Sequence, residues 1–473
     1  MSASAESSVS SSGNAPLQAQ LSIDFVVVGG GIAGLACALA LRRVGHNVQV
    51  LERASYDGAR GSGGVRVPPN LSKIFFHWGL RDALLRTAIV TTKLDFGRYE
   101  SGENLGQHAW DEQLLKESRG SYLILSHADL YDVLFDAAVA RGARVRHGCA
   151  VAGISAEGGA VTLAGGEVLR ADVVVGADGE HGLARKEEYL FTAFGSGHAI
   201  IAYPMTGKIA IQVYAPDDGR AGHFGDEPCV DLSGIADGIG EIFKPAIACA
   251  RKAIGPIPIK DHTDLEDWVS EDGALVLIGE AAHPFPPSTI QGTAMAVEDG
   301  AVLAKLFSHL SCPRQIRSFL HAFQELRQAR VRAVRAGELQ ATFFMTADGP
   351  DALIRDAAMR AKAAAGRNVL DADAAKHGAE EEAVRGAAEA AAAAAAKWEE
   401  YRIVFGYDCE DEADDWWVQW GLLGERAREG TSEASDSEEG AGSGSGARRA
   451  PAPRIDFASA MTSVQVVEHS SSS

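Results

Sequence analysis

Residues 24–52 combine a strand pattern, a glycine-rich turn, a helix pattern and a second strand pattern within about thirty residues. Asp24-Phe-Val-Val-Val28 is a continuous apolar run of the kind buried on both faces of a parallel sheet. Gly29-Gly-Gly31-Ile-Ala-Gly34 follows, then an apolar helix pattern over residues 32–44 and a strand pattern at Asn47-Val-Gln-Val-Leu51. This is a βαβ unit, and it commits the chain to an α/β fold with a parallel sheet. In the turn, Gly29 permits the tight bend, Gly31 lets a pyrophosphate approach the backbone, and Gly34 lets helix and strand pack closely. The helix N-terminus then offers its N–H groups and partial positive charge to phosphate. Glu52 lies 23 residues after Gly29, where an acid can accept hydrogen bonds from an unphosphorylated ribose. A glycine turn alone need bind nothing, but strand, helix and acid together predict a site for FAD or NAD rather than NADP.

Charge and hydropathy narrow the partners. The 473 residues carry 44 Lys+Arg against 64 Asp+Glu, a net charge of −20, which is the wrong sign for gripping a phosphate backbone and argues against nucleic acid. Half of that excess is local, because residues 405–440 hold twelve acids and two bases. A mean hydropathy of −0.05 indicates a soluble globular chain. Its most apolar stretch, residues 25–41, is interrupted by four glycines and reads as strand, turn and helix, so no transmembrane segment is expected. Cysteines 37, 149, 229, 249, 312 and 409 show neither a CxxC nor zinc-ligand spacing. They read as free thiols in a reducing compartment, with no metal site. The first twenty residues lack the basic start and apolar core of a signal peptide, which predicts a cytoplasmic protein.

Further along, residues 128–147 read as an amphipathic helix and a strand, and residues 171–177 and 274–278 as buried strands. Residues 189–260 carry short apolar segments punctuated by Gly and Pro, a mostly β insertion. An apolar helix is predicted from about residue 291 to 310, and helical pattern continues to Trp398, including an alanine run over residues 390–396. Trp398, Trp416, Trp417 and Trp420 flank the acidic cluster, and their apolar area predicts that this segment docks on the body.

Four further segments carry a family resemblance. They are Gly64-Val-Arg-Val-Pro-Pro-Asn70, Ser126-His-Ala-Asp-Leu130, Asp178-Gly179 with Arg185, and Gly279-Glu-Ala-Ala-His-Pro284 followed by Pro287, Gln291-Gly292 and Glu298-Asp299. In this order, from about residue 24 to 420, the sequence resembles the FAD-dependent aromatic-ring monooxygenases. These are the single-component salicylate and para-hydroxybenzoate hydroxylases, and the likeness is greatest to fungal salicylate-hydroxylase-like members. The resemblance implies a Rossmann-like FAD-binding domain, an inserted and shortened β-rich substrate domain, and a C-terminal helical region. The expected divisions are a disordered leader (1–21), the first part of the FAD-binding domain (22–188), the substrate domain (189–268), the return to the FAD-binding domain (269–312), the helical region (313–425) and a disordered acidic, Ser/Gly-rich tail (426–473).

The resemblance also implies roles. Non-covalent FAD would be held by Gly29, Gly31, Gly34, Glu52, Arg53, Gly64, His127, Asp178, Arg185, Glu280, Pro287, Gly292 and Thr293, with Asp178 and Arg185 also meeting the nicotinamide cofactor. NADH or NADPH would reduce the flavin, O₂ would give a C4a-hydroperoxyflavin, and its distal oxygen would pass to a small aromatic substrate. Tyr203 is the candidate pocket residue, able to hydrogen-bond a phenol, although a Tyr-Pro on a strand is also a common structural element. Several positions depart from the family pattern. Glu280 stands for an aspartate, His127 for an arginine and Gly182 for a serine. The insertion resumes almost directly after Arg185, without strands that in the family include one bearing a pocket arginine. Two other readings therefore stay open: an FAD protein whose hydroxylation is lost or uncoupled, and an NAD-dependent dehydrogenase, which would have no use for the later motifs.

Overall fold

A computed structural model describes residues 16–61, 63–155, 159–177, 191–205, 208–216, 238–248, 259, 264–287, 289–370 and 403–423. At its centre is a five-stranded parallel sheet, ordered Leu275–Leu277, Val173–Gly176, Asp24–Val28 (β1), Asn47–Leu51 (β2) and Arg144–Arg146. Successive residues of β1 point to opposite faces. Phe25 and Val27 join the helical layer formed by Ile32–Arg43 (α1), His127–Ala140 and Gly292–Phe307, the return helix. Val26 and Val28 instead meet Val161 and Leu163 of a three-stranded antiparallel sheet, Val151–Ser155, Ala160–Leu163 and Val168–Arg170. Both faces are covered, which is why the sequence shows an unbroken apolar run rather than alternation.

α1 and the return helix cross at very short range. A Cβ on Gly300 would lie 2.8 Å from the Cα of Cys37, so only glycine lets the two backbones approach this closely. The contact places the N-termini of both helices side by side above the carboxyl ends of the sheet strands.

A second five-stranded sheet runs Asn104–Ala109, Lys93–Arg98, Phe191–Phe194, Ala199–Met205 and Lys208–Tyr214. It draws two strands from ahead of residue 189, and Phe191–Phe194 pairs with Lys93–Arg98 in parallel. Between the two large sheets lies a small one in which Leu123–Ser126 pairs with Gly64–Val67 (β3) and with Ile89–Val90. Helices Gln315–Met345 and Gly349–Ala364 realise the helical pattern after Pro313, whereas the alanine run and Trp398 lie outside the described residues. Among the described residues no helix is long and apolar enough to cross a membrane.

The acidic segment does dock. Trp416 and Trp417 pack against the main core and Trp417 stacks on His309 at 4.5 Å, while Trp420 stays 45% exposed. Charge fixes the register: Lys73 meets Asp408 at 3.2 Å, Lys305 meets Asp414 at 2.8 Å, and Glu410 accepts from His77 and from the Trp78 indole while facing Arg43. Burial alone would raise the Glu410 pKa, but its bond to His77 and the neighbouring cations hold it below 4.5. The same bond lifts His77 above 6.5. A depressed carboxyl loses its stabilising effect as pH falls through its folded pKa, and a raised histidine loses its own as pH rises through its folded pKa. Docking is therefore expected to be tightest between about pH 4.5 and 6.5 and to loosen as pH rises above that range. Limited proteolysis within residues 403–423 should accelerate over that alkaline limb, and His77→Gln should flatten it. Cleavage independent of pH above 6.5 would contradict this role for His77.

Candidate cofactor site

The turn after β1 is built around two acceptors. Gly29 has φ +102° and so takes the left-handed bend that a side chain resists. A Cβ on Gly34 would sit 2.0 Å from the Gly29 carbonyl oxygen, so Gly34 fixes the spacing between turn and helix. Glu52, buried at the end of β2, accepts the Gly30 N–H at 2.7 Å with one carboxylate oxygen and the Ala54 N–H at 2.7 Å with the other. Each oxygen retains a lone pair for a ribose hydroxyl. Gly31 differs from its neighbours: a Cβ there would meet nothing within 4 Å. The space above it belongs to a ligand.

That space is a cleft of about 370 Å³. Its floor is Val28, Gly29 and Gly31, its ribose end Leu51, Glu52 and Arg53, and its far end Glu280, Gly292 and Thr293. His127 and the 149–151 segment close the sides. The N-termini of α1 and of the return helix both open into it, and neither helix has a side-chain cap or an acid in its first turn. Two sets of uncapped N–H groups and two positive dipole ends thus converge on one elongated cleft. One suits a pyrophosphate and the other the electron-rich edge of a ring held further along. His127 begins its helix and donates Nδ1–H to the Arg60 carbonyl at 2.8 Å, which orients the ring against the cleft.

A fully buried ion network holds the far end. Asp299 on the return helix accepts the Gly279 N–H at 2.8 Å, pairs with His283 at 2.6 Å and with Arg327 at 2.8 Å, and so pins the turn that carries Glu280. Burial would raise the Asp299 pKa, but His283 and Arg327 hold it down at about 2. His283 therefore serves as a support for that turn. Arg327 also meets Glu298 at 2.9 Å, Arg330 meets the same carboxylate at 3.5 Å, and Glu298 accepts from Asn70 at 2.8 Å, which ties the segment after β3 to the same helix.

Of the residues expected at the cofactor, Gly29, Gly31, Glu52, Arg53, His127, Glu280, Gly292 and Thr293 line the cleft together. Gly34 lies beneath the turn, Pro287 lies in the loop leading to the return helix, and Gly64 lies on β3 against Tyr203 of the second five-stranded sheet. Tyr203 is 1% exposed and donates its hydroxyl proton to the Gly64 carbonyl at 3.1 Å. Asp178 and Arg185 lie outside the described residues. Sequence reasoning missed the Cys149–Ala150–Val151 wall and the arginines 327 and 330. The wall follows a short strand with no motif, and the arginines resemble any charge on a long surface helix.

A cleft of this donor set on a doubly covered parallel sheet is that of a flavin-dinucleotide-binding protein. Residues 22–197 match the family model described as FAD binding domain. The chain is 28% identical to the FAD-dependent monooxygenase OpS4 of Beauveria bassiana, over 71% of this chain and 89% of that protein. It is 28% identical to the 3-amino-4-hydroxybenzoate 2-monooxygenase PtmB3 of Streptomyces platensis over 71% and 92%, and 25% identical to the 6-hydroxynicotinate 3-monooxygenase of Pseudomonas fluorescens over 67% and 89%. The fold is shared with a Klebsiella pneumoniae HpxO variant solved with FAD, at TM-score 0.62 and 21% identity over 73% of this chain and 96% of that one. It is also shared with CtdE solved with FAD and a substrate, at TM-score 0.64 and 17% identity over 85% and 99%. The chain carries an FAD-binding domain over residues 22–197 and is similar along most of its length to FAD-dependent monooxygenases of the aromatic-hydroxylase type.

Proposed function

We propose that this enzyme takes two electrons from NADH or NADPH and, with O₂, converts an aromatic C–H of a small electron-rich substrate into C–OH, the second oxygen atom leaving as water. The observation that carries this reading is the convergence of two uncapped helix N-termini with Glu52 and Glu280 on one cleft. FAD supplies the electron storage and the reaction with oxygen when bound. The chain's own residues do the rest: Gly29 to Gly31 and the α1 N-terminus take the pyrophosphate, Glu52 the ribose, Glu280 the ribityl hydroxyls, and the Gly292–Thr293 backbone the polar edge of the ring. Two relatives bear names that specify hydroxylated aromatic acids, 3-amino-4-hydroxybenzoate and 6-hydroxynicotinate, which supports a substrate of that general kind. Asp178 and Arg185 are assigned to the nicotinamide, and a cytoplasmic setting suits the reduced state of Cys37, Cys149, Cys312 and Cys409.

A second reading, in which reducing equivalents escape to peroxide, is favoured by the short stretch between Asp178 and the strand Phe191–Phe194. A pocket that admits water protects oxygen transfer poorly. The purified protein is expected to be yellow and to oxidise NAD(P)H in air, with hydrogen peroxide as a major product and hydroxylated aromatic as a minor one. NAD(P)H, peroxide and product are measured together. Folded protein that takes up no FAD would overturn the proposal, and near-equal product and NAD(P)H would overturn the leaky variant of it.

A further inference from the structure

The docked segment at residues 403–416 reaches the same buried charges that hold the far end of the cofactor cleft. Arg330 donates to the carbonyls of Ile403 at 2.5 Å and Val404 at 2.9 Å, and its guanidinium lies 4.1 Å over the Tyr407 ring. The Tyr407 hydroxyl donates to Glu412 and receives an N–H of Arg327 at 3.5 Å. From the opposite side, Lys73 on the helix Pro69–His77 donates to the carbonyls of Gly406 at 3.1 Å and Tyr407 at 2.7 Å. Residues 403–407 are therefore a strap anchored on two helices, and both helices pack against the return helix.

From each anchor a short chain of contacts runs to the cleft. On one side Arg327 grips Asp299, which takes the Gly279 N–H and so holds the turn before Glu280. On the other, Asn70 stands one turn before Lys73 on the same helix and donates to Glu298 at 2.8 Å and to the Gln291 side chain at 3.1 Å. Gln291 immediately precedes Gly292, which lines the cleft. Asn70, Gln291, Glu298, Asp299, Arg327 and Arg330 are each at most 2% exposed, so none can exchange its partner for water unless this part of the core opens. Glu410 of the same segment meets α1 at Arg43, the last residue of that helix and the end remote from Gly31.

We propose that Lys73 and Tyr407 are positioning residues of the cofactor site: through them the strap fixes the Gly279 turn and the start of the return helix, and so governs binding of the flavin half of FAD while leaving the adenine half alone. The proposal rests on the reading that puts the ring at Gly292–Thr293 and the pyrophosphate at Gly29–Gly31. Neither Lys73 nor Tyr407 lines the cleft, so their loss removes no contact with FAD. What is lost is the fixed placement of the groups that make those contacts, and this loss falls on one end of the ligand. A merely structural role would weaken both ends together or neither.

The test uses the full chain stripped of FAD and titrated with two ligands, FAD by flavin fluorescence and ADP, which carries only the adenine half, by calorimetry. Lys73→Met, which keeps the aliphatic stem and loses the charge, should weaken FAD by about tenfold, the lower end of what a charged hydrogen bond is worth. ADP affinity should remain that of wild type. Amide exchange should quicken in residues 279–283 and 290–295. Lys73→Arg, which can still donate to the strap carbonyls, should restore most of the FAD affinity. Tyr407→Leu acts from the strap itself and should show the same selective loss. Equal loss of FAD and ADP in Lys73→Met, or loss of neither, would overturn the proposal. So would a selective loss in Lys73→Met that Tyr407→Leu does not share, since the effect would then belong to the helix Pro69–His77 alone. Wild type that binds ADP but not FAD would overturn the placement of the ring and this proposal with it. Selective loss of FAD in both variants of a protein that hydroxylates no aromatic compound would refute the monooxygenase reading alone.

Discussion

Gly31→Val is expected to give a folded, colourless protein. An added Cβ here meets no protein atom within 4 Å, so the sheet and α1 are expected to keep their places. Its two methyl groups instead fill the space over the α1 N-terminus where the pyrophosphate must approach the N–H groups. Loss of that contact should lower FAD affinity by several orders of magnitude, enough for the flavin to be absent after gel filtration. Circular dichroism and the melting curve should match those of wild-type protein stripped of FAD. Gly34→Ala is the counter-experiment, because its Cβ would collide with the Gly29 carbonyl and should damage the fold itself. Retention of flavin by Gly31→Val would mean that the phosphates lie elsewhere.

Arg327→Met should cause the largest loss of stability of any single change in the cofactor domain. The guanidinium is fully buried and bridges Glu298 at 2.9 Å and Asp299 at 2.8 Å, so methionine leaves two carboxylates in the core with one cation fewer. Breaking one partner of a buried pair typically costs about 3–5 kcal/mol, which corresponds to a fall in melting temperature on the order of 10 °C. Asp299 would lose much of what holds its carboxyl down, and the Gly279–Glu280 turn that it pins should become looser. Flavin affinity should fall together with stability. Adding Asp299→Asn to Arg327→Met removes one of the stranded charges and should recover part of the melting temperature. A single variant that melts within a few degrees of wild type would show that Arg330 and His283 already neutralise the site.

The cofactor half of this fold was readable because its signals are local. β1, α1 and β2 fall within residues 24–51, and their burial on both faces leaves an unbroken apolar run. The strand Leu275–Leu277 and the return helix announce themselves in the same way. What could not be read depends on pairing across long separations. Arg66 faces Gln212 from 146 positions away, and nothing around either residue marks the other. Arg327 lies on a 31-residue helix among many charges, where a buried guanidinium has the same letter as a solvated one. Tyr203 shows the reverse error of emphasis. A strand tyrosine beside a proline suggested a hydroxyl offered to substrate, yet that hydroxyl bonds Gly64 and Gln212, and the ring supports Arg66.

The order of strands in the central sheet bears on how the chain acquires its shape as it leaves the ribosome. Val173–Gly176 has Asp24–Val28 along one edge and Leu275–Leu277 along the other. Until residue 277 emerges, the second edge stays open, and α1 lacks the return helix that covers it. At about 5–20 residues per second, the hundred residues between these two strands take roughly 5–20 s to synthesise. Throughout that interval a valine-rich edge of a half-built sheet is available to any other extended chain. Yield in a heterologous host should therefore depend more on temperature and chaperone supply during synthesis than on the stability of the finished protein.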